Sequence, residues 1–186
     1  NYGPEEYNGG IQNWSIIQQS SGLLYVANNM GLLEFDGHTW KTYTVPNRTK
    51  IRSLFIDQDE HIYVGSQRDF GYFQANNQGE LVYTSLADSL PPSFRDFDET
   101  WKIYGKDDIV YFCTFSEIFV YDGNKIQVVT SDYQLEISFF HNNDLYTQEW
   151  TKGLSKLQGN KLALIANGDF FKDKRSSNIF NYDNEQ

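Results

Sequence analysis

The chain has 186 residues, of which 25 are acidic and 15 basic, and its formal net charge is −10. This charge argues against a nucleic-acid-binding surface, which needs a basic patch, and no stretch approaches the roughly 20 apolar residues of a membrane helix. The single cysteine, Cys113, excludes an internal disulfide and is expected to be a small buried hydrophobe. The chain starts without Met or a signal peptide, which indicates a mature or excised segment.

A unit of four short strands recurs along the chain. The second strand of each unit carries a tyrosine, and Tyr25, Tyr63, Tyr111 and Tyr146 follow one another at intervals of 38, 48 and 35 residues. The runs are short, rich in aromatic and aliphatic side chains, and bounded by Gly, Asn and Asp, as strands are. Four strands in about 40 residues are typical of one β-propeller blade.

The pattern predicts one all-β domain over residues 1–186, a partial β-propeller of four four-stranded antiparallel blades. Turns such as Asp36-Gly37 supply the positive φ angles that tight hairpins need. Helix is expected only as a short turn at 86–90, which Pro91 and Pro92 would stop. The predicted blades span residues 11–46, 50–90, 95–131 and 133–168, and residues 172–186 would begin a fifth blade with a strand at 177–182.

A longer motif connects these strands to a known family. Residues 14–37 read WSIIQQSSGLLYVANNMGLLEFDG, and this pattern resembles the two-component regulator propeller repeat. The resemblance extends from Ile11 to Phe171. Blade two follows it with Arg68 and Asp69 as apparent extra residues, and blade three departs from it because Glu117 stands where Gly is expected.

The resemblance implies a place in a larger protein. Members of this family are extracytoplasmic sensor regions of membrane-bound regulators from Bacteroidetes-type bacteria, so a periplasmic location is expected. In them a triple-tyrosine domain, a membrane helix and a histidine-kinase or DNA-binding output follow the propellers, and this fragment itself would not touch nucleic acid. Family rings usually have seven blades, so the chain would form about four-sevenths of one ring.

Catalytic and metal-binding signals are weak in this sequence. His38, His61 and His141 fall in turns without ligand spacing, and the turn 57–60 lacks the Gly and distal Glu of a calcium loop. No carboxylate pair stands out for glycoside hydrolysis, and no nucleophile, phosphate or dinucleotide motif is present. We therefore expect no catalytic residue, no metal and no cofactor.

Loop geometry predicts where a ligand would bind. In a propeller the first strand of each blade lines the central channel, and the loop before it emerges on the same face as the loop between strands two and three. Aromatic rings beside amide and charged groups on that face suit sugars, although Trp14 and Trp101 could instead simply pack between blades. The predicted ligand-binding residues are Asn29, Arg52, Arg68, Asp69, Trp101, Glu149 and Trp150.

Three functions remain open from the sequence. The first is a non-enzymatic sensor of oligosaccharides, the second a propeller that mediates protein interaction or dimerisation, and the third a carbohydrate-active enzyme. An open arc also leaves one face of each terminal blade without a neighbour, so we expect self-association. The side chains expected on those faces are Trp14, Tyr25 and Trp40 of blade one and Phe139, Phe140 and Leu154 of blade four.

Overall fold

The structure, a computed structural model, describes residues 2–180 and consists of four antiparallel sheets of four strands each. Each sheet contains four consecutive strands paired in chain order, as predicted, and we call the sheets blades one to four. Blade one contains β1 Asn13–Gln18, β2 Leu24–Asn28, β3 Gly31–Phe35 and β4 Trp40–Tyr43, and blade two contains β5 Ile51–Ile56, β6 Ile62–Ser66, β7 Phe70–Ala75 and β8 Leu81–Ser85. Blade three contains β9 Lys102–Lys106, β10 Ile109–Cys113, β11 Glu117–Tyr121 and β12 Ile126–Thr130, and blade four contains β13 Leu135–His141, β14 Asp144–Glu149, β15 Gly153–Gln158 and β16 Lys161–Leu164.

The short helices differ in part from the sequence-based expectation. The turn predicted at 86–90 is a 3₁₀ helix, Ala87–Ser89, but a second 3₁₀ helix follows at Pro92–Phe94. Proline at the start of a helical turn removes only a donor that would be unpaired anyway, so it can begin this turn after ending the previous one. The structure adds the helix α1 Pro4–Tyr7 and a 3₁₀ turn at Gly168–Phe171, neither of which was predicted.

The expected fifth blade has no strand within the described residues. Residues 175–180 carry no regular secondary structure, and the rest of the predicted strand, at 181–182, lies outside the described residues. Among the helices of the described part, none is both long and apolar enough to cross a lipid bilayer.

The blades bury their hydrophobic faces against one another in chain order. Between blades two and three the aromatic rings of Phe70 and Phe112 stack with their centroids 4.4 Å apart. Between blades three and four, Cys113 is 2% exposed and packs with Leu135. Burial raises the pKa of the Cys113 thiol to about 12, so the cysteine is the buried hydrophobe that the sequence predicts. The first strands of adjacent blades contact one another and form a common inner edge.

The free face of blade one differs from the prediction. Tyr25 is 1% exposed and packs toward blade two, whereas the next residue, Val26, lies with Leu33 and Trp40 on the free face. Successive side chains of a strand point to opposite faces, so the prediction was right for Trp40 and wrong for Tyr25. Tyr7 of the N-terminal segment covers this face and contacts the ring of Trp40.

The blade-four prediction is wrong in a similar way for one residue. Phe140 stacks on Tyr104 of blade three with ring centroids 5.7 Å apart, so it lies in the interface between blades. Phe139 and Leu154 are also buried, at 4% and 6% exposure. The 3₁₀ turn Gly168–Phe171 contacts β15, which carries Leu154, so the C-terminal segment covers part of this blade.

Candidate ligand-binding site at the inner edge of the blades

A buried polar residue ends the second strand of blades one, two and four and directly follows that of blade three. Asn28, Ser66, Thr114 and Glu149 are all at most 1% exposed. The first three bond to the loop that follows: Asn28 Oδ1 accepts from the amide of Met30 at 2.9 Å, and the Ser66 and Thr114 hydroxyls donate to carbonyls three residues later. These bonds satisfy polar groups that burial would otherwise penalise, so they fix the loops between the second and third strands.

Strand register corrects the prediction that blade two carries inserted residues. Gly65 pairs with Phe70 just as Ala27 pairs with Leu32 and Cys113 with Ile118, so the three loops have equal length. Blade four alone is longer, by one residue, because Gln148 pairs with Leu154. Arg68 is therefore an ordinary loop residue, and Asp69 occupies the position that Gly31 holds in blade one.

The inner edge of blades one to three carries a cluster of aromatic rings around one arginine. The Arg52 guanidinium lies 3.8 Å from the ring centroid of Trp14 and 4.4 Å from that of Trp101. Trp14 donates from Nε1 to Asn29 Oδ1 at 2.8 Å, and Trp101 stacks on Phe115 with centroids 5.0 Å apart. We call Trp14, Arg52 and Trp101, with their partners Asn29, Phe115, Lys50 and Glu99, the inner cluster.

Local irregularities of the first strands produce this arrangement. The β1–β2 register shifts between Asn13 and Ser15, and the β5–β6 register shifts between Ile51 and Ser53. Trp14 and Arg52 are therefore the extra residues of two β-bulges. A bulge bends the strand and redirects a side chain, and bulges are common beside functional sites. Trp101 immediately precedes β9 and reaches the cluster without a bulge.

The charges of the inner cluster do not balance. Lys50 Nζ lies 2.7 Å from Glu99 Oε1, and Arg52 Nε contacts Glu99 Oε2 as an ion pair, although the N–H direction misses hydrogen-bond geometry. Burial raises the pKa of the Glu99 carboxyl, but the pairing with Arg52 and Lys50 outweighs it and holds the pKa below its usual value. Two cations thus share one carboxylate.

Several polar atoms of the cluster are buried without a partner among the residues that the structure describes. They are Nη1 of Arg52 and Nε1 of Trp101, and the hydroxyl of Thr100, which precedes Trp101 in the chain, is likewise unpaired. The Arg52 side chain is only 9% exposed. An unpaired buried donor costs about 1–3 kcal/mol, so the cluster gains stability from any oxygen acceptor that reaches these N–H groups.

The other predicted ligand-binding residues lie outside the inner cluster. Arg68 is exposed and pairs with Asp96 at 2.9 Å. Asp69 is buried, which raises its pKa, and accepts a hydrogen bond of 2.7 Å from Ser85. The buried carboxylate of Glu149 accepts hydrogen bonds from Ser131 and Ser155 and pairs with Lys152. Trp150 is 44% exposed, and the Arg68 side chain is 66% exposed, so these two are the accessible members of this group.

The prediction missed two charged members of the cluster. Lys50 and Glu99 both lie in loops that precede a first strand. Such loops were expected to form the ligand-binding face. The two residues were overlooked because such charges resemble ordinary solvated loop residues. Trp14 was weighed as a ligand contact or a packing residue and was left out of the predicted set, and in the structure it lies in the inner cluster and also packs on the core between blades one and two.

The opposite face carries an acidic groove between blades two and three. A cavity of about 430 Å³ is lined by carboxylates such as Asp57, Asp107 and Asp122 and by Tyr63. His61 Nδ1 lies 2.9 Å from Asp57 Oδ2, which ties both side chains to the turn. Within residues 2–180 no group of three or more His, Cys, Asp or Glu side chains is arranged to hold a metal ion.

Known proteins match this chain in structure but not in sequence searches. No protein-family model matches the chain, and no curated protein matches it. Among solved structures, virginiamycin B lyase from Staphylococcus aureus superposes with a TM-score of 0.63 at 13% identity, over 86% of this chain and 56% of that one. The WD40 β-propeller domain of Doa1 gives a TM-score of 0.58 at 12% identity, over 84% and 54%.

The fold is a multi-blade β-propeller fragment.

A further neighbour of this propeller belongs to a two-component system. The extracellular domain of BT4673 from B. thetaiotaomicron, described as a hybrid two-component system, gives a TM-score of 0.62 at 16% identity. The alignment covers 83% of this chain and 21% of that one, so the propeller fragment corresponds to about a fifth of BT4673's domain. The sequence motif resembles the repeat of this kind of protein. At 16% identity, the structural likeness shows a shared fold and nothing more.

Proposed function

We propose that the chain is the ligand-binding propeller fragment of an extracytoplasmic sensor, part of a membrane-bound two-component or one-component transcriptional regulator. Its ligand is an oligosaccharide, bound at the inner cluster. The observation that carries this proposal is the convergence of Trp14, Arg52 and Trp101 from three blades through two β-bulges. The repeat motif and the likeness to the extracellular domain of BT4673 support the sensor class and a periplasmic location.

The chemistry of the cluster suits a sugar. Indole rings stack on the C–H faces of a pyranose, while N–H donors meet its oxygens. Trp14 and Trp101 are only partly buried, so parts of their rings remain open. Nη1 of Arg52 and Nε1 of Trp101 supply unpaired donors beside those rings.

Binding without catalysis fits the charges better than hydrolysis does. A glycosidase needs two carboxyl groups held roughly 5–10 Å apart across the scissile bond. The inner cluster contains one carboxylate, Glu99, and it is engaged by Arg52 and Lys50. Because one structural neighbour is a lyase, product analysis after incubation with each glycan is the direct test of enzyme activity.

The proposal is tested by measuring ligand binding of the 186-residue chain. We expect members of a panel of soluble oligosaccharides to raise its melting temperature and change its tryptophan fluorescence. Trp101→Ala should weaken binding roughly two- to twelvefold, because a stacked ring contributes about 0.5–1.5 kcal/mol. Trp101→Phe keeps an aromatic face but lacks the Nε1 donor, so it should lose less affinity than Trp101→Ala and controls for folding.

Trp150→Ala is the matched control, since it removes an exposed indole outside the cluster. Loss of binding in Trp150→Ala together with retention in Trp101→Ala would move the site to the blade-four loop. If no glycan of the panel binds, the proposal is wrong.

A protein-interaction role is the second candidate, and the free face of blade one favours it. Ile16 is 64% exposed on this face. Together with Trp40 and Tyr2 it lines a groove of about 550 Å³. An exposed apolar patch of this kind drives association. Sedimentation should then show self-association at micromolar concentration that Ile16→Asp abolishes, and a strict monomer at high concentration would exclude this role.

A further inference from the structure

We propose that the inner cluster selects an acidic saccharide, one whose sugar ring carries a carboxylate, as a uronic acid does. The carboxylate would bind the free edge of the Arg52 guanidinium, and the sugar ring would lie against the exposed parts of Trp14 and Trp101. This inference rests on the proposed function and names the chemical class of its ligand.

The guanidinium of Arg52 keeps a donor that no described residue engages. The aromatic rings of Trp14 and Trp101 lie within 4.4 Å of the guanidinium carbon, and Glu99 lies against Nε. The Nη1 group has no partner among the described residues. A carboxylate matches the planar fork of a guanidinium with two parallel hydrogen bonds, which a single hydroxyl cannot do.

The net charge of the inner cluster also favours an anionic ligand. Arg52 and Lys50 share Glu99, so one positive charge remains without a compensating partner although Arg52 is nine-tenths buried. Burying an uncompensated charge is costly. A ligand carboxylate would neutralise that charge, whereas an uncharged sugar would leave it. The chain as a whole carries −10, so this local excess is not a consequence of a basic surface.

A second unpaired donor belongs to the same cluster. Nε1 of Trp101 is buried and unpaired within the described residues. Trp14, by contrast, uses its Nε1 on Asn29 at 2.8 Å, so only one of the two indoles keeps a free donor. A carboxylate has lone pairs for both the guanidinium and this N–H. The site therefore offers an anion two kinds of donor and a stacking surface.

The experiment compares acids with their own methyl esters. Galacturonate and glucuronate oligosaccharides and the corresponding methyl esters are titrated into the 186-residue chain, with tryptophan fluorescence and calorimetry as readouts. Esterification removes the charge and leaves the ring unchanged. We expect the acid form to bind at least tenfold more tightly than the ester, and the difference to shrink as salt is raised.

Matched variants separate recognition from structural support. Arg52→Gln should abolish the preference for the acid, while Arg68→Gln, which removes an exposed arginine paired with Asp96, should keep it. Glu99→Gln removes the internal competitor for Arg52, so it should tighten binding of the acid and leave that of the ester unchanged. A purely structural ion pair predicts instead that Glu99→Gln only lowers the melting temperature.

The outcomes distinguish this inference from the proposed function. Equal affinity for acid and ester, or uncharged oligosaccharides that bind while the acids do not, would overturn the acidic-ligand inference and leave oligosaccharide sensing standing. Equal loss of preference in the Arg52 and Arg68 variants would also overturn it. Absence of binding by every acid, ester and neutral glycan would reject both.

Discussion

Close packing of blade two on blade three can be tested at Gly105. This residue lies in β9 and pairs with Val110 of the neighbouring strand. A Cβ added to it would meet three ring atoms of Phe55, from blade two, at 2.0, 2.2 and 2.9 Å. Ordinary contact begins at 3.4 Å, so the Phe55 ring must retreat by more than about 1 Å when Gly105 becomes Ala.

Two opposing effects set the size of the change. Overpacking of a well-packed interface costs about 1–3 kcal/mol, whereas replacing Gly by Ala within a strand gains about 0.5–1 kcal/mol in conformational entropy. We therefore expect Gly105→Ala to lower the free energy of unfolding by about 1–2 kcal/mol. For a chain of this size, that corresponds to a fall in melting temperature of roughly 2–8 °C.

A double-mutant cycle checks the cause of the change. In a Phe55→Ala background the ring is absent, so Gly105→Ala should be neutral or stabilising by up to about 1 kcal/mol. Urea unfolding followed by circular dichroism gives the four free energies of unfolding. An equal cost of Gly105→Ala in both backgrounds would refute the proposed contact between Gly105 and Phe55.

Four further predictions address single groups. Cys113 should not react with Ellman's reagent at pH 8 until the chain is unfolded, because burial raises its pKa to about 12; rapid labelling of the native chain would contradict this. The lowered pKa of Glu99 means that its pairing stabilises the fold fully above about pH 4.5 and loses this effect as the pH falls through the lower folded-state pKa, so Glu99→Gln should flatten the acid limb of a stability–pH curve. Asp69→Asn should raise the melting temperature at pH 7, since burial raises the Asp69 pKa and thus disfavours its ionised form; an unchanged or lower value would count against that cause. Gly37→Val should cost about 1–3 kcal/mol more than Lys41→Ala, because Gly37 has a φ of 94° and Lys41 is a largely exposed strand residue; equal melting temperatures would contradict the turn assignment.

The repeat allowed the fold to be predicted from the sequence. Tyrosine spacing and Gly-containing turns placed four strands in each blade, and the structure confirms the four-stranded sheets. The missed secondary-structure elements lie where no repeat constrains the chain. Helix α1 and the 3₁₀ turn at 168–171 occur once each, outside the blades, so no periodic signal marks them.

The sequence predicted only part of the candidate site, and the reason is physical. The loops before the first strands and between the second and third strands were expected to share one face of the propeller. Asn29, Arg52 and Trp101 do meet on that face. This expectation cannot tell a loop residue that points to the channel from one that turns away, because bulges and buried polar bonds decide the direction. Glu149 looks like an accessible loop carboxylate in sequence, yet it is the last residue of β14 and is 1% exposed.

The pairing of strands strictly in chain order has a consequence for engineering and for evolution. No sheet within residues 2–180 takes a strand from elsewhere in the chain, so a cut between two blades breaks no ladder of hydrogen bonds. A copy of one blade could be inserted at such a junction and would meet the same kind of neighbour on each side, as in other repeat arrays. Blade number can therefore change by whole units, while each change alters the set of side chains that face one another across the inner edge.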